Sequence, residues 1–141
     1  VAAIVRNAKG KILLCERNDV AGAWQFPQGG VQPGESIIAA LRRELREEIS
    51  LRPSDYEVRE KRGPYRYLFP SGMMKKGAHG QEQTYFLLDL KVPDSAVDVE
   101  TPAPEFSDIQ WVVPTDFNFS WVPPMKLNVY RAVLHDFFGV H

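Results

Sequence analysis

The chain is 141 residues long, 44% hydrophobic and 25% charged, with a formal net charge of −1. That size and composition suit one compact unit with a sizeable core, and they supply no overall basic field to draw in nucleic acid, so any such contact needs a local patch. The single cysteine, Cys15, excludes an intrachain disulfide and fits a reducing, cytoplasmic setting, and no apolar run approaches the roughly 18–20 residues of a membrane span.

Residues 1–5 form an apolar run that reads as a strand, with no charged-then-apolar leader ahead of it, so a short natural N-terminus is expected to be missing. Residues 11–15 form a second apolar run, and the intervening Asn7-Ala8-Lys9-Gly10 predicts a hairpin with glycine at the tight position. Residues 24–26 read as a short extended piece leading into a loop that holds Gly29, Gly30, Pro33 and Gly34. A helix is predicted over 36–49, with Ser36 as its N-cap and Pro53 closing off further helix. Its apolar residues Ile38, Leu41, Leu45 and Ile49 recur at spacings of three and four and predict one buried stripe. Strands are expected near 56–62, 65–69, 84–90 and 109–113. A last helix should begin near Pro124, bury Leu127, Tyr130, Val133, Leu134 and Phe137, and stop at Gly139. Strands mixed with two helices place the chain in the α/β class, as a sandwich.

The segment from Arg42 to Glu48 reads Arg-Arg-Glu-Leu-Arg-Glu-Glu. At helical pitch Glu44, Glu47 and Glu48 share one side, roughly 110° around from the apolar stripe, so they project together beside the core. Like charges at these spacings repel by a few tenths of a kcal/mol per pair, and Arg43 and Arg46 cannot cover all three acids. A divalent cation removes the repulsion. Mg²⁺ prefers oxygen ligands and keeps waters and substrate phosphates in its shell. Taken alone, such a charge run is ordinarily a solvated, salt-bridged face.

The surrounding spacing changes that reading. Gly29 is followed by five residues and Glu35, then by seven residues and Arg43-Glu44-Leu45-Arg46-Glu47-Glu48. Residues 29–51 resemble the Nudix box, and one position departs: Ser50 stands where the family usually has the glycine that ends the helix. The resemblance implies a single domain over 1–141, folded as a three-layer α/β/α sandwich with a mixed sheet and a loop-helix-loop catalytic motif. It implies Glu44, Glu47 and Glu48 as ligands of Mg²⁺, for which Mn²⁺ can substitute, with the Gly29 carbonyl as a weaker candidate. Glu35 and Arg43 would lock the loop to the helix and orient the ligands.

Text outside the box is similar to the bacterial RNA pyrophosphohydrolase and dinucleoside polyphosphate hydrolase subgroup: Trp24-Gln25-Phe26-Pro27-Gln28-Gly29-Gly30, residues 80–87, Pro104-Glu105-Phe106, and Val122-Pro123 with Lys126 and Val129-Tyr130-Arg131. Glu105 then matches a carboxylate that reaches back to the metal, as a ligand or as the general base, a role for which Glu47 is the other candidate. Arg17, Lys75, Lys76 and Lys126 are candidate phosphate partners, with Arg17 alternatively stacking on a base. Lys75 and Lys76 sit in a glycine-bounded loop, 72–80, that could move over the site. Tyr85 could hydrogen-bond a phosphate. Phe119 and Trp121, in an irregular stretch, could stack on a base, whereas Trp24 and Trp111 are expected to pack. The resemblance implies removal of pyrophosphate from an RNA 5′-triphosphate end. Its alternatives are hydrolysis of diadenosine polyphosphates or of free nucleoside triphosphates and, from a different class, a non-catalytic nucleotide-binding module. Relatives of this kind often form homodimers.

Overall fold

The computed structural model describes residues 1–70, 77 and 79–141. Six strands and two helices follow the chain as β1 (Ala2–Arg6), β2 (Ile12–Arg17), β3 (Trp24–Gln25), α1 (Ile37–Ile49), β4 (Tyr56–Leu68), β5 (Gly80–Leu90), β6 (Phe106–Val112) and α2 (Leu127–Phe138). The sheet runs in the order β3-β2-β1-β5-β4, with β6 also pairing along β2. It is mixed, because β1 and β5 are parallel while the other pairs are antiparallel.

The predicted hairpin joins β1 to β2. The Asn7 side-chain carbonyl accepts from the backbone N–H groups of Lys9 (3.1 Å) and Lys11 (2.9 Å), and Gly10 takes the left-handed conformation at φ 77°. Alternation along the central strands then separates two cores. Val1, Ala3, Val5, Leu13, Cys15, Phe86 and Leu88 face α1, where Ala40, Leu41, Leu45 and Ile49 cover them. Ala2, Ile4, Ile12, Leu14, Tyr85 and Leu87 face the opposite side, under Val129, Tyr130, Val133 and Leu134 of α2. This is the expected α/β/α sandwich. Each fully buried leucine or isoleucine of α1 contributes about 1.5–3 kcal/mol by leaving water, and that holds the acid-bearing helix down.

Three expectations need correction. Ile38 is 37% exposed and, like Ile37 in the same first turn, takes no part in the α1-side core; the buried stripe starts at Ala40. The two strands expected at 56–62 and 65–69 are one continuous β4, carried past Gly63-Pro64 by a register shift between Arg62 and Tyr65. The last helix proper starts at Leu127, since Pro124–Lys126 forms a separate 3₁₀ turn ahead of it.

Ser36 caps α1 as expected, its hydroxyl accepting from Ala39 N–H at 3.2 Å. At the other end Ser50 does the work of the glycine it replaces. It sits in the left-handed region at φ 65°, its N–H reaches Arg46 O (3.2 Å), and Leu51 N–H reaches Leu45 O (3.1 Å). Its hydroxyl donates to Asp98 O at 2.9 Å. The left-handed backbone costs a non-glycine residue about 1 kcal/mol, and one such hydrogen bond returns a similar ~1 kcal/mol. Ser50→Gly should therefore be close to neutral, whereas Ser50→Ala, which keeps the strain and loses the bond, should cost about 1 kcal/mol. Urea unfolding with an unchanged m-value checks both.

Candidate active site

The loop 26–35 and α1 meet at the start of β1. Gly29 N–H donates to Val1 O (3.0 Å), and Gly29 O accepts from the Val1 nitrogen (2.9 Å). Here the backbone runs against the Glu44 carboxylate: a Cβ on Gly29 would lie 1.9 Å from the Glu44 carboxyl carbon. Only glycine leaves room for that acid.

Arg43 joins the loop to the helix. Its Nε and Nη2 donate to the two oxygens of Glu35 (2.8 and 3.0 Å), Nη2 also donates to Gly30 O (2.7 Å), and Nη1 donates to Glu44 Oε1 (2.7 Å), with a longer contact to Glu47 Oε2 (3.4 Å). Glu35 also accepts from Gln32 N–H at 3.0 Å. The Arg43 guanidinium and that backbone N–H hold the Glu35 carboxyl at about 2, well below the usual carboxylate range. Through these bonds Arg43 and Glu35 tie the loop to the helix.

The acids are not equivalent. Glu44 and Glu48 are buried and Glu47 is 54% exposed, so two of the three sink beside the stripe rather than projecting freely. Burial, then the nearby charges of Glu105, Glu44 and Glu47 and a hydrogen bond with Glu105, push Glu48 up to about 7. Burial also raises Glu44, opposed by Arg43. The structure therefore brings Glu105, from the segment before β6, up to Glu48 and Glu44, with Glu47 at the rim.

A cleft of about 730 Å³ opens from this ridge. Gly29, Gly30 and Glu105 stand on its acidic side, and Gln28, Gln81, Tyr67, Phe69, Met125 and Lys126 line it further out. Arg17 also lines it, but Asp19 chelates its guanidinium at 2.9 and 2.6 Å. Lys126 is buried, its ammonium 5.8 Å from the Tyr67 ring centre. Lys75 and Lys76 lie outside the described residues.

Two candidates do not face the cleft. Tyr85 is wholly buried between Phe26 and Tyr65 and donates to Gln83 Oε1 (3.4 Å), so it cannot meet a phosphate directly; strand alternation turns it into the α2-side core. Phe119 packs edge-on to Phe117 (5.1 Å) beneath the Arg131 guanidinium (5.0 Å), as part of that core's rim. Trp121 packs on Phe117 and Trp24, and Trp24 and Trp111 pack as expected. The cleft aromatics are instead Tyr67, Phe69 and the buried Phe106, and the signal for the first two was the two-residue spacing of Tyr65, Tyr67 and Phe69. Gln28 and Gln81 stood in segments notable for their family likeness, without a role of their own.

A NUDIX domain model matches residues 1–137. RNA pyrophosphohydrolases of Francisella tularensis subsp. mediasiatica and of a Marinomonas species are each 38% identical to the chain, covering 95% and 96% of it and 88% and 87% of their own lengths. Among solved structures, the Escherichia coli dihydroneopterin triphosphate pyrophosphohydrolase superposes with a TM-score of 0.73 at 16% identity, covering 96% of this chain and 91% of that one. A Caenorhabditis elegans Ap4A hydrolase gives 0.60 at 21%, covering 96% and 98%. The chain belongs to the Nudix hydrolase family.

That family is generally dependent on a divalent metal. The residues fit one. Glu48 Oε2 is a buried oxygen with no hydrogen-bond partner, Gly29 lets the Glu44 carboxylate lie against the loop backbone, and the acids offer hard oxygens. Among the described residues no three His, Cys, Asp or Glu side chains are arranged as they stand so that they could hold an ion. Arg43 occupies one Glu44 oxygen, and an ion that keeps waters and phosphates needs no complete protein cage.

Two variants separate metal holding from folding. Glu48→Gln should raise the melting temperature of the metal-free protein, since it removes a buried, unsatisfied carboxylate, and should shrink the upward shift that Mg²⁺ gives. Gly29→Ala should leave the metal-free fold close to wild type, because the clash is with the end of the Glu44 side chain. It should weaken Mg²⁺ binding at least tenfold by titration calorimetry.

Proposed function

We propose that this chain removes pyrophosphate from the 5′-triphosphate end of RNA and leaves a monophosphate. The observation that carries the reading is the 38% identity to RNA pyrophosphohydrolases over 95% of the chain. The cleft supports it, being open and mixed in lining, with Glu105 beside Gly29 and with Tyr67, Phe69 and Lys126 in its wall. It suits a polymer end whose phosphates lie over the acids and whose first nucleoside rests on the outer wall. The reading takes residues 1–141 as one domain working in the cytoplasm as a homodimer, without a membrane. No helix among the described residues is long and apolar enough to cross one. Sedimentation at the mass of one chain overturns the dimer.

Glu44, Glu47, Glu48 and Glu105, with the Gly29 carbonyl, would hold Mg²⁺, or Mn²⁺ in its place. Bound there, the cation supplies positive charge against the phosphates and a more acidic water. Arg43 and Glu35 keep Glu44 aimed at the ridge. Lys126 and Lys76 bring positive charge to the phosphate chain, as does Arg17 once it leaves Asp19. The proton of the attacking water passes to an accessible acid, Glu47 or Glu105, both of which open to solvent. Glu48, buried and out of reach of the attacking water, serves as a holder, releasing its proton when the cation binds.

The test compares kcat/KM on triphosphorylated RNA, diadenosine tetraphosphate and dGTP with Mg²⁺ present. RNA should lead, and a strong preference for the dinucleotide overturns the assignment. Glu47→Gln should lose at least about a hundredfold in kcat with its fold intact. Near-normal turnover in that variant passes the base role to Glu105.

A further inference from the structure

Glu105 reaches the acid ridge from a stretch that should not hold it there. Residues 102–105 are exposed and outside any regular element, and the carboxylate faces other carboxylates that repel it. Phe106 is buried, which anchors one side of Glu105 only. The strand pairing adds little at this point: the register between β2 and β6 shifts between Glu16 and Arg17, so Arg17 faces Phe106 while Glu16 faces Asp108. The hydrogen bond with Glu48 draws the carboxylate in, but none of these forces fixes the backbone that carries it.

Asn18 meets that need twice. Its backbone N–H donates to Glu105 O at 3.0 Å, and its side-chain Nδ2 donates to Pro104 O at 2.6 Å. The two bonds catch adjacent carbonyls of the segment, which fixes both the position of Glu105 and the rotation of its backbone. Asn18 is held in turn: Arg17 N–H donates to Ala23 O (3.0 Å), and Gly22 N–H donates to Glu16 Oε2 (2.9 Å), closing the 18–22 loop on the end of β2. Asparagine suits the position because its amide supplies a donor on a short stem. Aspartate, of the same shape, would set a negative oxygen against the Pro104 carbonyl.

We propose that Asn18 is a positioning residue for Glu105, acting through the backbone of residues 104–105 to hold that carboxylate against Glu48 and so complete the oxygen set that takes a divalent cation. The inference rests on the reading of the acids as the metal site. It does not depend on which phosphoanhydride is the substrate.

Asn18→Ala and Asn18→Asp are compared in the full chain with wild type. Three readouts serve: Mg²⁺ affinity by calorimetry without substrate, kcat and KM, and hydrogen exchange at the Phe106 amide. Losing one such bond predicts about 3–10-fold weaker Mg²⁺ binding and a similar fall in kcat, with KM within about twofold and faster exchange at Phe106. The isosteric aspartate should be at least as impaired as the alanine. In a Glu105→Gln background Asn18→Ala should change kcat by less than about twofold, because its target is already gone. The proposal is overturned by unchanged Mg²⁺ affinity, or by a loss that simply adds to that of Glu105→Gln, which marks a general structural effect. If wild type prefers diadenosine tetraphosphate, the RNA reading falls, and the same cycle run on that substrate still decides the role of Asn18.

Discussion

The site depends on one guanidinium. Arg43 reaches the loop at Glu35 and Gly30 and its own helix at Glu44 and Glu47, so the glycine-rich turn and α1 behave as a single piece. A planar fork of five donors can serve partners in several directions at once, whereas an ammonium on a flexible stem would satisfy some and release the rest. The consequence reaches beyond the ion pairs. With the loop fixed, Gly29 lies against Glu44 with no space for a side chain, so the acid has one place to go.

That arrangement costs stability where it provides chemistry. Glu48 is sunk beside Leu45 and Ile49 with one oxygen unpartnered, and Ser50 holds a left-handed backbone one residue after the helix. Neither would be selected for stability alone. The surplus comes from the α1-side core, where Leu41, Leu45, Ile49 and Leu51 are sealed against Val5, Leu13 and Leu88. The same helix thus carries its stabilising and destabilising residues on adjoining faces, which ties the position of the acids to the packing of the stripe. On the proposed reading a divalent cation acts on the destabilising face only, so that face is the one whose cost the metal relieves.

What could be read from the sequence follows the range of the forces involved. The hairpin at Asn7–Gly10, the Ser36 cap and both helices are local, set by turn chemistry and by spacings of three and four. The acid trio and its Arg43–Glu35 lock lie within one short segment, and their spacing carried them. Failures came where distant chain decides. Tyr85 reads equally as packing or as phosphate partner until the β1–β5 register turns it under α2. The proline at 64 reads as a strand end until the shifted register against β5 shows β4 passing it. Ile38 belongs to the helical repeat, yet it takes no part in the α1-side core. The tie from Asn18 to the Glu105 segment spans the chain from the first hairpin to the last strand, and no pattern in either stretch announces it.

The cleft crosses the two layers, and this separates chemistry from recognition. Glu105, from the segment before β6, and Gly29, which lies against Glu44 of α1, line one part of it, whereas Tyr67, Met125 and Lys126 belong to the layer of β4 and α2. They are joined through the loop: Gln83 on β5 donates to Gln28 Oε1 at 2.7 Å, and Phe26 N–H donates to the Tyr130 hydroxyl at 3.2 Å. The acids and the outer wall are thus carried by different elements that share one loop. One fold can host different phosphoanhydride substrates for this physical reason. On the proposed reading, the bond that breaks is set by where the phosphates meet the acids, and the molecule that carries it is chosen by a wall whose packing rests on the other helix.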